Sequence, residues 1–532
     1  MPRAAALALF AACLALAASV VPVCASDRAY LCDAADGSFF GAVIRDPMRG
    51  YYPARPGSML TEFFVPKPPE IRRVFVLGAE AAARSAGPGG LFSGEENVEV
   101  INAGMPLYNS RRVLDIVREL PKFQPDIAVI MTGNNDFPRL EPCPDFLTSL
   151  KIKTCRFSPY CRDAAPQDRE ASASVRIFED NLDKMCSSLK EKGVRVVFCT
   201  LPANVRDMPP AGDLLPDIPL VAEALVKMER GDFKGTADAF LAAAALSPDR
   251  AAMLDYMAGK AYLASGDKTS AKKYFRIALE KDKAGGRSDE SRNEAVRRAA
   301  INCGAALVDI DAELRGRIDG EYAGDDVFYD AVRWHAAFTP YFSDLVLDAA
   351  LPGAVAGQEA SVSFKEGLSA PFDPAEFRDI FADVLVYCGG LGGSEGLSEQ
   401  LMSRLEYLRR RAPALLESHL ASYRQARAFA ESIMADKGCG RPDAAYANID
   451  ALWPLIAAHM GELCRRHREY ARALAFFDES LNRAPGNAFV RFYRGWTRAL
   501  AGNSAAAEAD FAGLSGRSGE AGANIRRLLL TR

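Results

Sequence analysis

Hydrophobic positions divide the chain into stretches of different period. Beyond residue 70, short apolar runs at 74–77, 98–102, 127–132, 194–201 and 306–310 end in small or turn-forming residues: Gly78 after the first, Ala103-Gly104 in the second, Gly133 after the third. Stretches of helical period, such as 111–120 and 177–192, lie between them. Continuous apolar strands alternating with helices predict a parallel sheet covered on both faces. Ligands of such sheets sit at the carboxyl ends of the strands, so chemistry is sought at the Gly78, Gly104 and Gly133 turns. Residues 28–70 are rich in Pro, Gly and aromatics, show no strong period, and read as a lead-in.

Between the fourth and fifth runs the pattern turns to Ala-rich helices that repeat. Gly231 and Gly266, and likewise Phe240 and Phe275, are 35 residues apart; Pro248 closes the first unit, and Gly259, Tyr262, Ala271 and Ala278 mark the second. Near the carboxyl end Gly461, Ala473 and Phe477 return as Gly495, Ala507 and Phe511, each 34 residues on, with Tyr470 and Pro485 in the first copy. These spacings resemble tetratricopeptide repeats, in which small residues let paired helices approach and aromatics fill the gap. Two repeats rarely form a stable solenoid, so each pair must dock on something else.

At 532 residues the chain is too long for one core. Its net charge of −4 is spread over both signs with no long basic stretch, which excludes a nucleic-acid-binding reading. Arg3, the apolar run 4–23 and the small residues to Ala25 read as a signal peptide, and so predict export to a periplasmic or extracellular space. The alternative is an uncleaved anchor, which would be the chain's one membrane contact. Val23 before Cys24 argues against a lipoprotein. Two of the twelve cysteines, Cys13 and Cys24, fall in that segment; the ten others permit disulfides, with Cys143, Cys155 and Cys161 as the best candidates for one bridge on a loop over the pocket mouth. There is no CxxC pair with a nearby histidine, so no metal site is expected.

Four blocks at the strand ends carry a further resemblance: Leu77-Gly78-Ala79-Glu80, Asn102-Ala103-Gly104-Met105, Gly133-Asn134-Asn135-Asp136, and Asp330-Ala331-Val332-Arg333-Trp334-His335. In order and spacing they resemble the SGNH/GDSL hydrolases over about residues 60–350. Leu201-Pro202-Ala203-Asn204-Val205-Arg206-Asp207 is similar to a branch that carries tetratricopeptide repeats before its last block. The resemblance implies an α/β protein with a three-layer, flavodoxin-like parallel sheet (the SGNH hydrolase fold) plus all-α tetratricopeptide-like repeats. It places the serine nucleophile at position 80, oxyanion donors at Gly104 and Asn135, and in Asp330 the acid that orients a histidine three residues later. No cofactor is implied.

Two departures bear on catalysis. The nucleophile position holds Glu80, and Arg333 stands where the histidine belongs; His335 is five residues after Asp330 instead of three. Ser85, five residues past Glu80, is too far along to substitute. A carboxylate is a poor nucleophile toward an ordinary ester, so the expectation is a pseudoenzyme that binds a protein or peptide partner through its repeats. The alternative is a divergent ester hydrolase or O-acyltransferase on O-acyl groups of envelope polysaccharide or small esters, with Glu80 as general base and an acylated carbohydrate or ester as ligand. Read together, the two replacements predict a Glu80–Arg333 ion pair braced by Asp330. The expected organisation is a signal peptide at 1–25, a lead-in at 26–59, and the α/β domain at 60–215 and 284–351 with hairpins 216–283 inserted. A linker at 352–375 and a C-terminal helical domain at 376–532 complete it.

Overall fold

Each of the five apolar runs is a strand, and the reason is visible in Arg72–Gly78, where every residue after the first is buried. A strand walled on both faces has no solvated side, so its sequence is continuously apolar. The computed structural model describes residues 40–45, 48–53, 63–85, 91–92, 95–105, 108–136, 167–282, 286–318, 322–352, 364–390, 397–435 and 448–530. Residues 1–25 and Cys143, Cys155 and Cys161, with the loop expected over the pocket mouth, lie outside them. Among the described residues no helix is long and apolar enough to cross a membrane.

The strands are β1 (Phe40–Arg45), β2 (Met48–Pro53), β3 (Phe63–Val65), β4 (Arg72–Gly78), β5 (Val98–Gly104), β6 (Ile127–Met131), β7 (Arg195–Cys199) and β8 (Ala306–Val308). The last five form one sheet in the order β5-β4-β6-β7-β8, with β4 parallel to both β5 and β6 and β6 parallel to β7. Counted along the chain this is order 2-1-3-4-5, that of doubly wound, flavodoxin-like sheets, whose switch point falls between the first and third strands. Helix Ser110–Glu119 buries Val113, Leu114 and Val117, and Gln167–Lys190 buries Phe178, Leu182, Met185 and Leu189.

The lead-in expected at 26–59 is partly a sheet: β1, β2 and β3 are antiparallel neighbours. Strands this short carry little local period, and tertiary packing supplies what the pattern lacks. Phe40 and Phe63 meet Phe75 and Phe123 edge to face, with ring centroids 4.7 to 5.9 Å apart. Arg73, fully buried, donates to Phe64 O and Phe123 O, both at 2.6 Å, and pairs with Glu99. A disulfide, Cys186–Cys303, joins Gln167–Lys190 to Glu290–Cys303 across 117 residues of sequence.

By its contacts the chain divides into two compact units. The first holds the described residues up to Ser85, those from 95 to 198, and 298–306; the second holds 91–92, 199–297 and everything from 307 on. The segment 284–351, expected whole in the α/β domain, is therefore divided, and 199–215 falls in the second unit. The binding element is the Leu201–Asp207 motif. Asn204 N–H donates to Ala331 O at 2.9 Å and its amide to Asp325 Oδ1 at 2.9 Å, while its Oδ1 caps the N–H groups of Asp207 and Met208. Arg404, fully buried, adds bonds to Asp325 and Tyr329 O. Buried charges need such partners.

The rest of the second unit is helical hairpins. In three of them a glycine faces a phenylalanine ring: a Cβ on Gly259, Gly461 or Gly495 would lie 2.7 to 2.8 Å from Phe275, Phe477 or Phe511. In hairpin Pro219–Glu229/Phe233–Leu246 buried Ala224 and Phe240 stand at the same spacing. The inserted pair and the C-terminal pair dock on each other. Arg517 pairs with Asp213 and Asp217, Asn524 Nδ2 donates to Pro216 O and Asp217 O, and Arg465 pairs with Glu229 at 2.6 Å. The expected linker 352–375 contains helix Phe364–Ser369, seated by Phe364 against Phe338 and Tyr341.

Candidate functional site

In the first unit the strand ends converge around Glu80. Gly78 has φ +147°, and a Cβ there would lie 1.9 Å from Met131 O, so glycine is required where β4 approaches β6. The chain then turns into helix Glu80–Ser85, which puts Glu80 on its first turn and Ser85 at its far end. Gly104 is required for packing: a Cβ would lie 2.3 Å from Ala83 N.

The groups assigned to chemistry by resemblance are engaged here by their neighbours. The Gly104 N–H donates to Asn102 Oδ1 at 3.0 Å, and Asn102 Nδ2 donates to Ala83 O at 2.7 Å. Asn135 Nδ2 donates to Glu80 Oε2 at 3.0 Å and lies 3.4 Å from Tyr108 O. Asp136 accepts from the N–H and hydroxyl of Ser110, fixing the start of Ser110–Glu119. An oxyanion hole needs N–H groups aimed at an empty position; these are aimed at protein oxygens. Thr132 Oγ1 and both amide atoms of Asn134 are the exception, buried with no partner among the described residues.

In the second unit, Asp330 Oδ1 accepts the Val332 N–H at 2.8 Å and the Arg333 N–H at 2.5 Å, and Oδ2 accepts from Arg333 Nε. Arg333 Nη2 donates to Asp383. Burial works against the guanidinium charge, but Asp330 and Asp383 outweigh it and hold the pKa well above its usual value. The expected bracing of Arg333 by Asp330 is present, and Asp383 takes the other side of its fork. A forked guanidinium satisfies two carboxylates at once, which explains why Arg333 is drawn to the acidic pair of its own unit.

His335 is buried, with Nδ1 2.9 Å from Glu376 Oε2 and Nε2 3.1 Å from Asp325 O, and its ring stacks on Tyr407. Both ring nitrogens face oxygen acceptors, so neither is open to take a proton from a nucleophile. Asp207 lies nearby in the same network; burial opposes its ionisation, yet Lys260 and Arg206 hold it well below the usual carboxylate range. Asp325, Glu376, Asp383 and Arg404 were not singled out in the sequence, where no local spacing links them to Asp330 or His335.

No family model matches the chain, and no curated protein matches it. Fold and site thus define an α/β protein whose parallel sheet is joined to helical hairpin repeats, with Gly104, Asn135 and Asp136 at its strand ends bonded to neighbouring residues.

Proposed function

We propose that the chain is a catalytically degenerate, SGNH-like protein, exported, that works as a scaffold binding a protein or peptide partner through its tetratricopeptide-like hairpins. One observation carries this reading. A carboxylate, Glu80, occupies the nucleophile position and receives the Asn135 amide at 3.0 Å, while the Gly104 N–H is given to Asn102. A nucleophile and a free oxyanion donor are both lacking at positions 80 and 104. The signal-like start and the Cys186–Cys303 disulfide support export, because disulfides persist in oxidising compartments.

The test is turnover of a chromogenic acetyl ester by the purified protein, beside its Glu80→Ala and Glu80→Ser variants. The expected result is no turnover above buffer in all three, the serine variant included, since Gly104 and His335 remain engaged. Wild-type turnover abolished in Glu80→Ala would overturn the proposal in favour of an ester hydrolase or O-acyltransferase with Glu80 as general base. Affinity capture from envelope extracts should then recover a partner that is lost when the C-terminal hairpins are disrupted by Gly461→Leu.

A further inference from the structure

Within the second unit, a cavity of about 440 Å³ lies between helices Pro219–Glu229 and Ala251–Ala264 of the inserted hairpins and Ile449–Arg466, Ala488–Leu500 and Gly516–Leu529 of the C-terminal ones. Its volume is that of a small-molecule site. One part of the wall is aliphatic, with Leu214, Leu225, Val226, Met257, Leu500 and Leu529, and the other is charged, with Glu229, Glu462 and four arginines. Trp496 also lines it, is 1% exposed, and carries the Arg465 guanidinium 3.8 Å over its ring.

The rim supplies a second, independent observation. Four hairpins turn through a left-handed residue at the same place: Gly231 (φ +79°), Gly266 (+87°), Gly502 (+82°) and, in the third, Arg468 (+61°). Glycine takes that conformation freely and arginine does not. A strained residue kept where its neighbours are glycine directs attention to its side chain. Arg468 donates to Glu229 O at 2.9 Å and, like Arg230 on the same rim, is exposed and pairs with no carboxylate among the described residues. Arg465 and Arg466 face three carboxylates, Glu229, Glu399 and Glu462, so the four arginines with Arg230 and Arg468 exceed the acids by one charge. The uncompensated charge at the mouth is therefore positive.

We propose that this cavity binds an aliphatic carboxylate, its chain along the leucine and methionine wall and its head group on Arg468, with Arg230 as a further donor. A single chain suits an enclosed site better than an extended peptide does, because Arg517 and Asn524 already tie the two hairpin pairs together beside it. Titration calorimetry of the purified protein with dodecanoate, kept below its micelle-forming concentration, should show saturable binding. Dodecanol should bind at least about tenfold more weakly. Arg468→Gly installs the residue of the other three turns, so its melting temperature should hold or rise while dodecanoate affinity falls roughly tenfold. Leu225→Trp, which fills the cavity, should abolish binding. Absence of saturable dodecanoate binding, equal affinity for dodecanol, or an Arg468→Gly protein that binds like wild type would each overturn the assignment. So would a peptide with a free carboxy-terminal leucine that binds where dodecanoate does not.

Discussion

At the ends of the strands and in the hairpin cavity, polar groups are treated in opposite ways. Around Glu80 most of the recognisable motif residues are engaged: Asn102 takes the Gly104 N–H, Asn135 gives its amide to Glu80, and Asp136 holds Ser110, with Asn134 the exception. Around Trp496 the recognisable motif residues, the glycine–phenylalanine pairs, only pack helices, while two exposed arginines outside any motif, Arg230 and Arg468, have no carboxylate partner among the described residues. The contrast teaches that a motif marks how a backbone must be built. Whether its polar atoms remain available to a ligand depends on neighbours that the motif does not contain.

The sharpest way to break this contrast is to damage one unit and look for effects in the other. Gly78→Ala forces both a disfavoured φ and a Cβ into Met131 O, and should destabilise the sheet unit by about 4 kcal/mol or more. Hydrogen exchange should then rise in β4, β5 and β6 and stay unchanged in 449–529; exchange spreading evenly through both would show that the units do not behave separately. Replacing Cys186 and Cys303 together by serine removes a 117-residue cross-link, for which about 4 kcal/mol is expected in denaturant titration.

A third effect belongs to the helical unit alone. His459 Nδ1 donates to Leu455 O at 2.7 Å and its Nε2 accepts the Ser398 N–H at 3.0 Å, so the ring is neutral. Burial pushes its pKa down to about 4, from 6.5. A depressed folded-state value means that the stability is whole above pH 6.5 and is lost as the pH falls through 4. The loss should approach about 3 kcal/mol at the acid end. His459→Gln should flatten that part of the pH–stability curve; an unchanged slope would locate the acid sensitivity elsewhere. The smallest effect expected is that of Glu80→Gln, which keeps an oxygen for Asn135 and should shift stability by less than about 1 kcal/mol in thermal melts. A large loss would mean that the charge at position 80 organises the strand ends.

Much of the architecture was legible in local pattern. The runs at 74–77, 98–102, 127–132, 194–201 and 306–310 all became strands, and the 34- and 35-residue spacings became stacked hairpins, because burial on both faces and helix pairing each impose a period that a short window reveals. The antiparallel strands at 40–65 escaped notice because their order rests on Phe75 and Phe123, which no window over them includes. The site was legible as positions: Gly78, Glu80, Gly104 and Asn135 do meet at the ends of β4, β5 and β6.

The sequence by itself determined that the five apolar runs beyond residue 70 form strands, that the repeated spacings form hairpins, and that position 80 offers a carboxylate in place of a hydroxyl. Only the tertiary structure decided who bonds to whom. Cys186 chose Cys303 across 117 residues, Arg333 chose Asp330 and Asp383, His335 chose Glu376, and Arg468 took a turn its sister hairpins give to glycine. The physical reason is the range of the forces. Backbone conformation and periodic burial act over a few residues, whereas hydrogen bonds, ion pairs and cavities depend on groups brought together from distant parts of the chain, whose meeting no local spacing records.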